Sequence, residues 1–363
     1  MDVIEPLDRY DLPVMPQLEP HLVDRHDAAQ SELSDLLVAA AEPTQRLFRY
    51  VQWRLLTEAA ASLEPVFTER RSPLVPSRRR LLSRSHSFRL EGCRHALRHI
   101  DGRVAMQRMG AIEHVVAAET PMVLHAFVEV NEPHGRVSNA GSIRATPSGF
   151  AEGDIEFIPP PAEHCRRLIL DAVEFANTAP APSITRATWL MAAVFALHPF
   201  VDGNGRTGRM LFHGLLSEHL PNGFDWGTIP ELAASRNDYL EAARAPLRPS
   251  LPDYDARLLQ PIHLMRFTAE RAVDGALRAV ARLSLLSDHV ERLIGDGWDV
   301  GPMLVLLGIA ADRNARLDEL AELLGDPVET TEVVNGLVER GIATWDEAGR
   351  AQLVGANPFV GAM

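Results

Sequence analysis

Between His198 and Arg209 the chain places a histidine, an aspartate, three glycines and two arginines in the run HPFVDGNGRTGR. Each residue type suits one part of chemistry on a phosphate. His198 is a side chain that titrates near neutral pH and can act as a base. Asp202 offers hard carboxylate oxygens, suited to a Mg2+ (or Mn2+) ion that also touches phosphate. Gly203, Asn204 and Gly205 can turn their backbone N–H groups inward, because glycine tolerates the φ values this needs. Such a nest, leading into a helix N-terminus, binds anions. Arg206 and Arg209 lie three apart on one helix face, and guanidinium forks match phosphate oxygens. A loop that only joins two helices needs none of these groups, so the full set points to a phosphate-directed site.

The three glycines also spell GxGxxG, which in a dinucleotide-binding turn follows a strand and precedes an acidic residue about twenty positions on. Here the preceding stretch, TRATWLMAAVFAL, is helical in pattern, Glu218 comes too early and Glu231 too late. The loop therefore joins two helices. One is expected from about Ile184 to Leu197, with Leu190, Val194 and Leu197 on one apolar face; the next starts near Arg206 and carries Leu211, Leu215 and Leu216. Upstream, 131–161 is turn-rich. Its strand candidates are Ser142–Thr146 and Ile155–Ile158, joined by PSGFAEGD, and a helix follows Pro161 to about Asn177. The first thirty residues read as irregular, Ser31–Glu69 as helix punctuated by Pro43 and Pro65, and Arg71–Ser87 as a basic, proline-broken link. Residues 93–130 read as mostly helical, Pro230–Pro246 reads as one helix, and helices resume after Asp253.

Composition narrows the classes. With 363 residues, 46% apolar and 23% charged, the chain has the make-up of a soluble globular protein with room for two domains. It has no apolar run long enough for a membrane helix, and its acidic start, MDVIEPLDRYDLP, is no secretory signal. Two distant cysteines, Cys93 and Cys165, fit a reducing cytoplasm. A net charge of −13 opposes wholesale nucleic-acid binding. All 36 basic residues are arginine. This removes the lysine of a P-loop and leaves arginine, backbone N–H groups or metal to hold any triphosphate.

The run His198–Arg209 resembles the Fic family motif, HPF-x-[D/E]-G-N-G-R-x-x-R, at every position, and the resemblance extends over roughly Ser87–Pro246. It implies a mainly α fold: a helical core with one β-hairpin flap, which GSIR and IEFIPPP resemble, although Ile143 stands where the family usually has an aromatic. It also implies transfer of AMP from ATP to a Ser, Thr or Tyr hydroxyl of a protein, with the chain itself among the candidate targets. On this resemblance His198 takes the hydroxyl proton and Asp202 holds Mg2+ against the phosphates. Gly203, Asn204 and Gly205 cradle the phosphates, and Arg206 and Arg209 hold the phosphate tail. Phe200 anchors the loop, and Tyr239 lines the nucleotide pocket. SFRLEG, with Ser87, Glu91 and Gly92, resembles the family's inhibition pattern [S/T]-x-x-x-E-[G/N]. It implies that Glu91 pairs with Arg209 and misplaces the γ-phosphate.

The last hundred residues read as helix, turn, helix, then two short strands around an Asp346–Gly349 turn, the order of a winged helix-turn-helix. Its second helix, Glu329–Arg340, sets Glu329, Glu332 and Glu339 against Arg340 alone, which favours a packing or protein-contact role over DNA. The expected domains are 1–92, 93–250 and 251–363. Alternatives that the sequence leaves open are removal of AMP, transfer of another nucleotide, and a DNA-binding regulator. A homodimer is also left open, and no membrane is expected as a partner.

Overall fold

The computed structural model describes residues 9–63, 78–129, 140–145, 150–152, 155–221, 223–244, 254–311, 315–347 and 349–354, with the backbone alone for 78–88 and 150–156. The fold is mainly helical. In chain order the elements are α1 (Pro20–Ala39), α2 (Glu42–Ser62), α3 (Arg78–Arg108), α4 (Thr120–Glu129), β1 (Phe150–Glu152), β2 (Ile155–Phe157), α5 (Ala162–Thr178), α6 (Ser183–Leu197) and α7 (Asn204–His219). Then come α8 (Thr228–Ala234), α9 (Arg236–Arg244), α10 (Ile262–Gly295), α11 (Val300–Ala311), β3 (Ala315–Arg316), α12 (Leu317–Leu324), α13 (Pro327–Glu339), β4 (Ala343–Trp345) and β5 (Arg350–Leu353). The chain divides into two compact units, 1–30 with 56–276 and 31–55 with 277–363. The expected domain boundary at 92/93 falls inside α3, and that at 250/251 lies outside the described residues.

In the first unit α6 is the central helix. Thirteen of its fifteen residues, including Trp189, Leu190, Met191 and Val194, are buried. A helix apolar on every side has to be enclosed, and α5 and α7 pack against it, with α4 and α3 against α7. Gly208 lets α7 lie close to α6: a Cβ there would stand 2.9 Å from the Phe195 ring. A strap formed by the residues before α1 backs α6. The Trp189 indole donates to the Pro13 and Val14 carbonyls at 3.1 and 3.2 Å, and the Tyr254 hydroxyl donates to the Asp11 carbonyl at 2.8 Å. Tyr10 stacks on His164 with ring centroids 4.9 Å apart.

Four sequence expectations are corrected. The first thirty residues are not all irregular, since α1 begins at Pro20. The basic link 71–87 is in part helix, since α3 begins at Arg78. The stretch Pro230–Pro246 holds two helices, α8 and α9, separated at Ser235. The hairpin pairs Phe150–Glu152 with Ile155–Phe157, so that Phe150 faces Phe157, and Ser142–Arg144 is not a strand. There the Arg144 N–H donates to the Pro199 carbonyl at 2.9 Å, tying this stretch to the glycine loop instead of to a sheet.

The second unit carries a three-stranded antiparallel sheet in the order β3-β5-β4 beside α11, α12 and α13. Gly325, in the left-handed region at φ 79°, ends α12. Asp326 caps α13 by accepting from the N–H groups of Val328 and Glu329 at 2.7 and 3.3 Å, and Pro327 follows it. No helix among the described residues is long and apolar enough to cross a membrane. Cys93 and Cys165 are buried free thiols.

Candidate active site

The loop between α6 and α7 is built by its own residues. His198 ends α6 in the left-handed region, φ 45° and ψ 55°, and is the one non-glycine residue among those described with positive φ. That backbone is strained for a side chain with a Cβ. Three donations offset the strain. The His198 N–H reaches the Val194 carbonyl at 2.9 Å, the Arg144 Nε reaches the His198 carbonyl at 2.8 Å, and the Arg144 N–H reaches the Pro199 carbonyl. Arg144 is itself buried, and another of its guanidinium nitrogens donates to the Pro160 carbonyl. Asn204 closes the turn: its Oδ1 accepts from the Phe200 N–H at 2.9 Å and its Nδ2 donates to the Phe200 carbonyl at 2.8 Å.

Gly203 is the N-cap of α7 at φ 73°. A Cβ there would stand 2.5 Å from Oε1 of Glu129, so both the backbone twist and the space below require glycine. Its N–H donates to Asp202 Oδ1 at 2.7 Å. No side chain caps the N-terminus of α7. The first N–H groups of a helix have no acceptor within it, and its dipole favours negative charge there. His198 and Asp202 therefore flank a site suited to an anion.

Burial, reinforced by the nearby Arg144 guanidinium, pushes His198 down to about 3 against the opposing pull of Asp202. The ring is neutral at physiological pH and has a lone pair to accept a proton. His125 on α4 lies beneath the loop, its ring stacked on Phe200 with centroids 4.0 Å apart and planes within 5°. Its Nδ1 accepts from the Gly141 N–H at 2.9 Å, which leaves Nε2 to donate to the Asp202 carbonyl at 3.1 Å. Burial lowers His125 to about 4, with its bond to the Asp202 main chain opposing that shift.

The two arginines have different surroundings. Arg206 donates to Glu129 Oε1 at 2.7 Å and to the Val128 carbonyl at 2.8 Å, and both partners of the ion pair are buried. Arg209, 1% exposed, donates to the Leu63 carbonyl at 2.9 Å and to the Tyr239 hydroxyl at 3.2 Å. Its Nε is buried without a hydrogen-bond partner.

Residues 119–216 match the family described as Fic/DOC. The chain carries a Fic/DOC domain. Over 58 residues it is 38% identical to a Fido domain-containing protein from Dictyostelium discoideum, a match covering 16% of this chain and 37% of that one. Two solved structures are similar in fold. A Fic family protein from Desulfovibrio desulfuricans is 14% identical, with a TM-score of 0.50 over 94% of this chain and 98% of that one. A Fic domain-containing signaling protein from Bacteroides thetaiotaomicron is 13% identical, with a TM-score of 0.51 over 73% and 98%. Domains of this family generally transfer a nucleoside monophosphate to proteins.

Within this Fic/DOC domain the structure gathers His198, Asp202, Gly203, Asn204 and Gly205 in one turn, and Phe200 is fully buried beneath it. Tyr239 is buried against Arg209. Two expectations need correction. Arg206 is engaged by Glu129 under the loop, because a guanidinium buried there needs a carboxylate. The Glu91–Arg209 pair is not formed. The residue beside Glu91, Gly92, is the one packed against α4, where its Cβ would stand 2.7 Å from the Phe127 carbonyl. The Glu91 carboxylate is 42% exposed and lies 3.6 Å from Arg94 and 3.3 Å from His95 on its own helix. Of Ser87 only the backbone is described, and it is helical. His125 and Glu129 escaped sequence reasoning, since a lone histidine and a lone glutamate on α4 carry no spacing signal.

No group of three or more His, Cys, Asp or Glu among the described residues could hold a metal ion alone. One carboxylate beside an open helix N-terminus suits Mg2+ in its usual manner, with substrate phosphates and water completing the shell. Asp202 would hold the ion, whose charge would neutralise phosphate oxygens.

Proposed function

We propose that the domain transfers AMP from ATP to a Ser, Thr or Tyr hydroxyl of a protein. The observation that carries this reading is His198, neutral and fixed through Arg144, beside the uncapped N-terminus of α7 and Asp202. In the step, the hydroxyl oxygen attacks the α-phosphorus in line and its proton passes to His198 Nδ1 or Nε2. The bond from the α-phosphorus to the bridging oxygen breaks, and pyrophosphate leaves with that electron pair. The N–H groups of Asn204 and Gly205 would receive phosphate charge, the Gly203 N–H being held by Asp202 Oδ1, and the Arg209 guanidinium would exchange the Leu63 carbonyl for the phosphate tail. Removing a positioned base typically costs about 10²–10⁴-fold in rate. His198→Ala should therefore abolish most labelling of protein from α-labelled ATP in lysate, and equal labelling by both forms would overturn the reading. Mass analysis of the labelled band distinguishes AMP from another nucleotide.

Control by Glu91 does not follow from this geometry, in which Glu91 meets Arg94 and His95. For the second unit we infer protein contact instead of DNA binding. On α13, Val328, Glu332, Asn335 and Glu339 are exposed at helical spacing, and that face repels phosphate. No shift of duplex DNA is expected at low salt, and a salt-sensitive shift would reverse the inference.

A further inference from the structure

His125 takes no direct part in the chemistry above, yet three of its contacts converge on the site. Its ring covers Phe200, its Nε2 donates to the Asp202 carbonyl, and its Nδ1 accepts from the Gly141 N–H. Gly141 sits at φ 74°, and its own missing Cβ would stand 3.2 Å from the Met122 carbonyl of α4. Three residues on, Arg144 holds the carbonyls of His198, Pro199 and Pro160. A circuit of bonds thus runs from His125 to Gly141, along the chain to Arg144, across to His198, through the loop to Asp202 and back to His125. Packing alone would need only a flat ring. Both nitrogens are bonded, and each bond lands on one of the two segments that set the spacing between His198 and Asp202.

We propose that His125 is a positioning residue of the transfer site. It fixes the Asp202 main chain through Nε2, and through Nδ1 it fixes the Gly141–Arg144 segment that holds His198. The inference rests on the nucleotidyl-transfer reading above. A buried core ring without a positioning role would be replaceable by phenylalanine. A positioning ring is replaceable only by a side chain that keeps the right polar atom. Glutamine can return a donor near the place of Nε2. Asparagine returns an acceptor near Nδ1 but no reach to Asp202.

The test compares wild type, His125→Phe, His125→Asn and His125→Gln in the full chain, each corrected for its folded fraction by thermal melting. Two quantities are read: affinity for Mn2+·ATP, followed by the Mn2+ spin signal, and the rate of transfer from labelled ATP. The expected result is a loss of about tenfold or more in Mn2+·ATP affinity for the Phe and Asn variants, with most of it recovered by Gln. Transfer should follow the same order. Unchanged Mn2+·ATP affinity per folded molecule in the Phe and Asn variants would overturn the inference, as would equal loss in Asn and Gln, or no Mn2+·ATP binding by wild type. If wild type transfers nothing while the affinity series holds, the transfer reading fails and the positioning role stands.

Discussion

At the scale of single residues, the decisive features are a strained histidine and a divided pair of arginines. His198 is pushed down to about 3, so it is already deprotonated at neutral pH and remains so as pH falls through 6.5. With excess Mg2+ and sub-saturating ATP, kcat/KM, which reports the groups of the free enzyme, should show no acid limb near 6.5 from His198. A His198-dependent limb centred near 6.5 in kcat/KM would mean that burial does not hold His198 down in the free enzyme. Arg209 is held by the Leu63 carbonyl and the Tyr239 hydroxyl, with Glu91 engaged elsewhere. Glu91→Gly should therefore leave the labelling rate within about twofold, since the partners of Arg209 are unchanged and an exposed pair such as Glu91–His95 contributes little. A large rise in labelling would show that Glu91 reaches Arg209 in another arrangement of the chain.

At the scale of elements, close approach decides where side chains are forbidden. Gly227, at the start of α8, and Gly275, in α10, touch backbone to backbone: a Cβ on Gly275 would stand 2.4 Å from the Gly227 carbonyl carbon. Gly275→Ala has no flexible neighbour to displace and should destabilise the first unit by about 1–3 kcal/mol, seen as a lower urea midpoint. Gly102, in α3, has nothing within 4 Å of its missing Cβ. Gly102→Ala should leave that midpoint unchanged or raise it, because alanine is the better helix former by about 0.5–1 kcal/mol. If both substitutions act alike, helix propensity and not the α8–α10 contact governs the site.

Across the whole molecule, charge is spread so that some buried groups depend on pH. Asp225 is fully buried. Burial by itself would raise its carboxyl, but the His213 ring, 3.8 Å away, and the Thr228 N–H and hydroxyl hold it below the usual carboxylate range. A carboxyl lowered on folding contributes stability that is present above its unfolded pKa, about 3.9, and is lost as pH falls through the folded value. Urea unfolding measured from pH 6 down to pH 3 should show stability falling with acid. Asp225→Asn should be less stable at pH 6 and flatten that dependence. An unchanged slope would place the acid sensitivity elsewhere.

The run HPFVDGNGRTGR and the apolar periodicity on either side of it determined the helix–loop–helix, the flanking α6 and α7, and the grouping of His198, Asp202 and the glycine turn. These rest on local rules, namely apolar periodicity, glycine's freedom at positive φ and the spacing of a single turn, and such rules act over a few residues. The tertiary structure decided the rest. Glu129 claims Arg206 and Leu63 holds Arg209, Gly92 and not Glu91 meets α4, and Arg144 leaves a would-be strand to hold His198. For the three arginines a buried polar group had to find its partner across the fold, at 77 residues' separation for Arg206 and Glu129 and 146 for Arg209 and Leu63. Burial makes an unpaired charge costly. Which partner is within reach depends on how the helices pack, and no local pattern in the chain records that.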